Sequence, residues 1–238
     1  MSAPWVVLGG WAFTPRILAP IFGPDATYVD VNRLMPELIE AGHLRADWAD
    51  VLLQRTVALM AGGDTVRLAG WSTGAIVAAA LAGRIGPQCT VLLSATPSFC
   101  ARQGFPHGWA PGVLRAMRRR LSRNPAEVLT GFGALCGLAD APVSHSAEEL
   151  IAGLVFLEEA SLLDLPLPSR NVYVLHGDSD RVVPCAAGDA MAVRCASALQ
   201  TFAGGHAFFG GTCARDVRAA IARHGGHDPR PIIDPDTR

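Results

Sequence analysis

The stretch GWSTG, Gly70 to Gly74, lies between TVRLA at 65–69 and the small apolar run AIVAAALAG at 75–83. The first run predicts a strand and the second a helix, so the serine stands in a sharp strand-to-helix turn. Glycine two positions to either side avoids the clash that a side chain would make with neighbouring backbone in such a turn. The turn would push the Ser72 hydroxyl out above the sheet, where it can act as a nucleophile; a simple glycine-rich turn is the alternative.

The chain on both sides of this motif alternates between strand and helix patterns. Alternating strands and helices predict an α/β fold, in which a mainly parallel sheet carries helices on both faces. The predicted strands are 5–10, 26–31, 65–70 and 89–95, and the predicted helices are about 46–60 and 72–85.

Residues 98–164 interrupt this alternation with several prolines and three helical patterns, so we interpret them as an inserted helical lid after the fifth or sixth strand. The α/β core would then comprise residues 1–97 and 165–225. The tail, 226–238, is rich in proline and polar residues and is expected to be flexible. In the second part of the core, strands are predicted at 171–180 and 199–204, and helices at about 186–196 and 211–224.

The composition is that of a folded and nearly neutral protein. Half of the residues are hydrophobic, 17% are charged and the formal net charge is -1, which argues against disorder and against a nucleic-acid partner. No apolar run is long enough to span a membrane. The six cysteines show no CxxC spacing and no signal-peptide pattern is present, so reduced thiols and a cytoplasmic location are expected. We expect a monomer without a cofactor, and no metal site, because His224 and His227 lack a third ligand at suitable spacing.

A serine nucleophile needs a base and an acid that orients the base. His206 follows the last predicted strand in FAGGHAFF at 202–209, and Asp178 and Asp180 close the strand VLHGDSD at 174–180. The order serine, aspartate, histidine resembles that of the α/β-hydrolases. The family's acid precedes a valine-proline pair in a pattern that GDSDRVVP matches at Asp180, so Asp180 is chosen and Asp178 is the fallback. The histidines at 43, 107, 145 and 176 lack such a context.

Several segments together resemble the pimeloyl-[acyl-carrier protein] methyl ester esterases of biotin synthesis: GGW at 9–11, GWSTG, the run that begins ATPSFCARQGFPHGW at 95–109, GDSDRVVP and GGHAFF. The likeness extends over most of residues 5–220. It implies a catalytic triad of Ser72, Asp180 and His206, and an oxyanion hole formed by the backbone N–H groups of Trp11 and Thr73. The residues that match the family's acyl-binding positions are Trp11, Phe132, Gly133, Ala134, Leu135 and Cys136. One departure lies at Gly9, where many relatives carry a supporting histidine.

The resemblance implies hydrolysis of the methyl ester that caps a carrier-bound pimeloyl chain. The acyl carrier protein of this chemistry is acidic, and a run of arginines in the insertion offers a basic face for it, with a solvated helix face as the alternative. Relatives place basic residues around and after the position of Phe132, whereas this chain has no arginine between Arg123 and Arg170. The residues of the predicted docking face are Arg115, Arg118, Arg119 and Arg123, with Arg120 in the same run.

Three other functions remain open at this point. A carboxylesterase for small free esters would use the same triad without a carrier protein, and a thioesterase would cut the acyl–carrier bond instead. A catalytically silent scaffold that binds a ligand would not need an intact set of serine, aspartate and histidine.

Overall fold

Six parallel strands form one sheet in the computed structural model of the chain, which describes residues 3–40, 42, 48–57 and 65–225. The strands lie in the order β2-β1-β3-β4-β5-β6, which confirms the predicted α/β fold with a parallel sheet. Their bounds are β1 Trp5–Leu8, β2 Thr27–Val29, β3 Arg67–Trp71, β4 Cys89–Leu93, β5 Val172–Gly177 and β6 Leu199–Phe202.

The sequence of each strand fits its place in the sheet. The central strands β1, β3 and β4 are buried along their whole length and read as nearly continuous apolar runs, because helices cover both faces of a parallel sheet. The edge strands β2 and β6 contain fewer buried residues, and they include the polar residues Thr27, Gln200 and Thr201. Alternate side chains of these central strands therefore pack against the helices on one face of the sheet or the other.

The strand order creates a crevice at the carboxyl ends of β1 and β3. From β1 the chain passes to β2 on one side and then returns to β3 on the other. Since crossovers between parallel strands are right-handed, the segments that leave β1 and β3 lie on opposite faces of the sheet. Ligands of open α/β sheets bind at such a switch point. The register, with Leu8 opposite Gly70, places the ends of the two strands level.

Nine helices occur within the described residues. Helix α4 packs on β1, β3 and β4 through a run of small residues, α8 packs on β5 and β6, and α9 contacts α1 and β4. The bounds in the core are α1 Ala19–Phe22, α2 Met35–Glu40, α3 Trp48–Val57, α4 Thr73–Ile85, α8 Cys185–Arg194 and α9 Ala214–Gly225, and those between β4 and β5 are α5 Pro111–Leu121, α6 Pro125–Cys136 and α7 Ala147–Glu159.

The helices α5, α6 and α7 belong to the segment 98–164, which we call the insertion. It follows the fourth strand of the sheet, whereas the sequence interpretation put it after the fifth or sixth; β1 to β4 are the strands that precede it in the described chain. The insertion is anchored on the core by α7, which packs against α2. The ring of Phe156 in α7 meets the Trp48 ring edge to face, with 5.1 Å between the ring centroids. A capping box between Ser146 and Glu149 defines where α7 begins.

Two differences from the predicted elements have local causes. Asp30 ends β2 early because its carboxylate accepts the Asn32 N–H and caps a 3-10 turn at Val31–Leu34, which leads into α2. Neither that turn nor α2 was predicted. The predicted helix at about 46–60 is present as α3, and its remaining positions lie outside the described residues. The tail 226–238 and His227 also lie outside them, so the predictions made for them stay predictions.

Adding a methyl group at Gly70 tests the packing of the strand-to-helix turn. A Cβ there would lie 2.2 Å from the Gly74 carbonyl oxygen, whereas a Cβ at Gly112 meets nothing within 4 Å. We expect Gly70→Ala to lower the free energy of unfolding by about 3 kcal/mol or to prevent folding, because backbone atoms cannot yield as a side chain can. Gly112→Ala should leave stability unchanged or slightly raised. Urea denaturation of both variants measures the difference, and equal stability would contradict the described turn.

Candidate active site

Ser72 sits at the tip of the turn between β3 and α4 in a strained conformation. Its φ is 57° and its ψ is -118°, values that residues other than glycine rarely adopt. A Cβ at Gly74 would lie 2.4 Å from the Leu8 carbonyl oxygen, and one at Gly70 would collide with Gly74 itself. Both glycines of the motif are thus required by backbone contact, as the sequence predicted, and the serine is presented at the carboxyl edge of the sheet.

Asp180 and His206 are joined by a hydrogen bond. His206 Nδ1 donates to Asp180 Oδ2 at 2.8 Å, while Asp180 Oδ1 accepts the N–H groups of Val182 and Val183 at 2.8 and 2.9 Å. Burial raises the pKa of Asp180, but the hydrogen bond and charge of His206 and the two backbone donors outweigh it and hold that pKa below its usual value. The carboxylate is therefore ionised at neutral pH and fixes the His206 tautomer.

Asp178, the fallback acid, faces elsewhere. Its carboxylate accepts the Gly204 N–H at 3.1 Å and the Ser179 hydroxyl at 3.0 Å, and the residue is exposed. These bonds tie the end of β5 to the loop that carries His206. Asp178 thus supports that loop and does not contact the imidazole.

The structure leaves the other ring nitrogen of His206 enclosed and shows no hydrogen bond between it and Ser72 Oγ. His206 Nε2 is buried and has no hydrogen-bond partner in the described part of the chain. The His206 carbonyl accepts from Trp71 Nε1 at 2.9 Å and from Ser94 Oγ at 3.0 Å, so the ends of β3 and β4 both hold the histidine loop. Because Trp71 directly precedes Ser72, the same side chain that places the histidine also stands beside the nucleophile. Sequence analysis missed both supports, although Trp71 lies within the motif.

The N–H groups of Trp11 and Thr73 are suited to stabilise a developing oxyanion. Thr73 begins α4, where the first N–H groups have no intrahelical partner. Trp11 lies in the β1 loop, residues 9–14. A Cβ placed on Gly10 would lie 3.3 Å from Ser72 Cβ, so this loop runs close to Ser72. Over the ranges that the structure describes, neither N–H donates to another protein group.

Aromatic rings form an apolar wall beside these N–H groups. Phe132 of α6 lies edge-on to Trp11 at 4.8 Å and stacks on Phe13 at 5.9 Å, and Phe13 is 5.9 Å from Trp71. Phe132 also lines an apolar groove of about 400 Å³ between α5 and α6. Sequence analysis missed Phe13, which lies two residues after Trp11 in the same loop.

The five consecutive residues predicted to contact the acyl chain do not share one face of α6. Gly133 and Cys136 are buried, Phe132 and Leu135 are partly buried, and Ala134 is exposed. Successive helical residues are rotated by about 100°, so a run of five cannot all face one pocket. Phe132 and Leu135 line the groove, whereas Ala134 faces solvent.

The turn that carries Asp180 has further buried support. We call residues 180–184 the acid turn. His176 Nε2 donates to the Val183 carbonyl at 2.8 Å and lies 3.4 Å from Asp180 Oδ2. Burial lowers the pKa of His176, so this imidazole is neutral. The sequence offered no signal for it beyond a histidine at the end of a strand.

The insertion is hydrogen-bonded to three loops of the candidate site, which carry Asp180, His206 and Trp11. Trp109 Nε1 donates to the Val182 carbonyl of the acid turn at 2.7 Å, and the Ala207 N–H next to His206 donates to the Cys136 carbonyl at 3.2 Å. The Trp11 indole donates to the Leu150 carbonyl at 2.9 Å. A Cβ at Gly153 would lie 2.5 Å from the Trp11 ring, so a glycine in α7 is what admits that indole.

The arginines of the predicted docking face fall into two groups. Arg115 and Arg118 both pair with Glu158, at 2.6 and 2.7 Å, and this carboxylate is only 9% exposed. Arg119 and Arg123 are exposed and form no ion pair with other described residues.

The i, i+4 spacing of Arg115, Arg119 and Arg123 in the sequence predicts that they share one helical face, and for Arg123 this prediction is wrong. Helix α5 ends at Leu121, so Arg123 lies in the turn before Pro125, which begins α6. Arg120 pairs with Glu127 across that turn at 2.6 Å. The free positive charge therefore sits at the end of α5 and not along its length.

All six cysteines are free, and four of them are buried. Burial raises the pKa of Cys89 and Cys195 to about 11. Burial and the negative charge of Asp180 also raise the pKa of Cys136. These thiols are therefore protonated at neutral pH and act as small apolar side chains.

A model of the alpha/beta hydrolase family matches residues 8–231. The chain belongs to the alpha/beta hydrolase family. A pimeloyl-[acyl-carrier protein] methyl ester esterase from Stenotrophomonas maltophilia is 28% identical, with 91% of this chain and 90% of that protein covered. The enzyme of the same name from Aromatoleum aromaticum is 30% identical, with 79% and 84% covered. Among solved structures, an esterase from Exiguobacterium antarcticum superposes with a TM-score of 0.68 over 94% of this chain and 93% of that one; at 18% identity this likeness concerns the fold alone.

These comparisons confirm the predicted family and the prediction that the protein is an enzyme. Ser72, Asp180 and His206 follow the carboxyl ends of β3, β5 and β6, so all three lie at the same edge of the sheet. In the described ranges, no helix is both long enough and apolar enough to cross a membrane.

Replacing Asp180 tests its role against that of Asp178. An asparagine at 180 keeps the shape but cannot hold the tautomer and charge of His206, so we expect kcat for ester hydrolysis to fall about 10³- to 10⁴-fold. Asp178→Asn, which removes an equal charge two residues away, should change kcat less than about threefold. Steady-state kinetics on a short chromogenic ester compares the two, and similar losses in both variants would refute the assignment of Asp180.

Proposed function

We propose that this alpha/beta hydrolase is a serine esterase that cleaves the methyl ester of pimeloyl-[acyl-carrier protein] and releases methanol. The observation that carries the esterase mechanism is the combination of Ser72 at a strained turn with the bonded pair of Asp180 and His206, whose Nε2 has no protein partner. The relatives named pimeloyl-[acyl-carrier protein] methyl ester esterase, which align over most of the chain, support the substrate.

Acylation begins when Ser72 Oγ attacks the ester carbonyl carbon and His206 Nε2 takes the hydroxyl proton. Negative charge develops on the carbonyl oxygen, where the N–H groups of Trp11 and Thr73 stabilise it. The carbon–oxygen bond to the methoxy group then breaks, and His206 returns the proton to the leaving oxygen, so methanol departs. Asp180 stays ionised throughout and stabilises the imidazolium.

Deacylation repeats these steps with water. His206 removes a proton from the water, whose oxygen attacks the acyl–Ser72 carbonyl, and the second tetrahedral intermediate collapses with return of the proton to Ser72 Oγ. The products are the free carboxyl group and regenerated enzyme. No cofactor takes part in either half of this reaction.

The apolar wall fits the chain that carries the ester. Methylene groups gain free energy when they leave water, and the rings of Trp11, Phe13 and Phe132 stand beside the oxyanion donors. The groove along Phe132 and Leu135 extends the apolar surface away from Ser72. A linear acyl chain can thus lie across the insertion while its terminal ester reaches the nucleophile.

The carrier protein would meet the end of α5. Arg119 and Arg123 are exposed there and free of carboxylate partners in the described residues, so they can pair with acidic groups of a carrier. Arg115 and Arg118 share Glu158 and contribute to holding α5 on α7. The proposed docking face is therefore smaller than the run of arginines in the sequence.

Mass spectrometry of methyl-pimeloyl carrier protein after incubation with the enzyme tests the function directly. We expect the carrier to lose the mass difference between a methyl ester and an acid while its thioester stays intact, and we expect no change with Ser72→Ala. Loss of the entire acyl chain would make the protein a thioesterase. An unchanged carrier would refute the carrier-linked substrate, and a chromogenic ester would then separate a small-ester esterase from a silent scaffold.

Charge reversal at the end of α5 tests the docking face. Arg119→Glu with Arg123→Glu should lower kcat/KM for the carrier-linked ester about tenfold or more at low salt, with the loss shrinking as salt screens the charges. Turnover of a small ester should not change. The matched control is Arg215→Glu with Arg223→Glu on α9, which alters net charge equally at two exposed positions. An equal loss in the control, or on the small ester, would rule out local docking.

A further inference from the structure

Beneath the β1 loop lies a buried polar network centred on Asn32. This residue is 1% exposed. Its Nδ2 donates to the Gly10 carbonyl and to Asp30 Oδ1, both at 3.0 Å, and its Oδ1 accepts the Ala12 N–H at 3.2 Å. One side chain thus holds the peptide groups on both sides of Trp11.

Peptide geometry links this network to the oxyanion donor. The Gly10 carbonyl and the Trp11 N–H belong to the same planar trans peptide unit, in which the C=O and N–H point in opposite directions. When Asn32 binds the carbonyl, it aims the Trp11 N–H away from the network. The N–H is then free for a ligand near Ser72, whose Cβ would lie 3.3 Å from a Cβ placed on Gly10.

A second tie comes from the insertion. Ala12 has a φ of 69°, a left-handed conformation that is unfavourable for a residue with a Cβ and persists only where its surroundings hold it. Its carbonyl faces His145 Nδ1 at 3.2 Å, and His145 Nε2 lies 2.8 Å from Asp30 Oδ2. His145 stands just before α7 with its side chain fully buried.

Both ring nitrogens of His145 therefore face atoms that can only accept. A carbonyl and a carboxylate offer no proton, so a neutral imidazole can satisfy just one of them, whereas the imidazolium donates to both. The charged groups around the ring are Asp30, Glu149 of α7, and Arg33, whose Nε is 3.6 Å from Asp30. Burial lowers the pKa of His145, but the hydrogen bond and charge of Asp30, aided by Glu149, outweigh it and raise that pKa above its usual value.

We propose that Asn32 and protonated His145 are positioning residues for the Trp11 N–H, so that turnover falls as pH rises and His145 loses its proton; we call this decline the alkaline fall. The proposal rests on the oxyanion role of Trp11 in the function proposed above. His145 belongs to the insertion. The position of the insertion and the orientation of the Trp11 N–H therefore depend on each other. A neutral His145 keeps its proton on Nε2, because the Asp30 carboxylate is a stronger acceptor than the Ala12 carbonyl. Since the pKa is raised, the bond to Ala12 is complete at low pH and is lost as pH rises through that pKa.

Kinetics of three histidine variants on a small chromogenic ester provide the first test. His145→Ala should lower kcat about tenfold at pH 7 with KM little changed, because loss of a whole oxyanion donor costs about 10²- to 10³-fold and a misaimed one costs less. His145→Gln, which can still donate to Ala12, should recover part of kcat and show no alkaline fall. His107→Ala, at an exposed histidine of the insertion, should retain both the wild-type kcat and its alkaline fall. An alkaline fall that survives in His145→Gln would overturn the proposal.

A spectroscopic test needs no substrate. In protein labelled with ¹⁵N-tryptophan, the Trp11 backbone amide signal should move with the titration of the His145 ring in the wild type and in His107→Ala, and should stay fixed in His145→Gln. A Trp11 signal that is insensitive to pH while His145 titrates would overturn the positioning role. A Trp11 signal that titrates in an enzyme inactive on every ester would support the positioning role and refute the proposed function instead.

Discussion

The close approach of helix α4 to strand β1 is the contact on which the rest of the site depends. Gly74 lies so near the Leu8 and Gly9 carbonyls that a single methyl group would not fit between them. This approach brings the first turn of α4, with its unpaired N–H groups, level with the β1 loop. Ser72 and both proposed oxyanion donors thus take their positions from one backbone contact.

Strain at Ser72 follows from the same contact. A side chain at φ 57° is stable only because β3 before it and α4 after it are fixed by the sheet and by buried apolar residues. The hydrophobic core therefore maintains the strained conformation of Ser72 at the carboxyl edge of the sheet. Burial of the helix α4 face stabilises the fold and the reactive geometry together, so the two cannot be tuned separately at this position.

The sequence was a good guide wherever a local pattern determined the outcome. Strand runs and their glycine stops predicted the parallel sheet, and the steric demand of GWSTG predicted the turn at Ser72. What it could not show were contacts between distant segments: Trp71 and Ser94 on the His206 carbonyl, His176 behind the acid turn, and Asn32 beneath the β1 loop. Such contacts depend on which strands become neighbours, and no spacing along the chain encodes that. The pairing of Arg115 and Arg118 with Glu158, some 40 residues away in sequence, was hidden for the same reason.

The hydrogen bonds from the insertion to the core limit how freely this part of the enzyme can be exchanged. In this protein the insertion reaches the acid turn through Trp109, the histidine loop through Cys136, and the β1 loop through Leu150 and His145. A chimera that kept the core and replaced residues 98–164 would lose all four ties at once. Such a replacement would alter the arrangement of the candidate catalytic residues together with the proposed acyl-binding surface, so each of these hydrogen bonds would need a counterpart in the donor sequence.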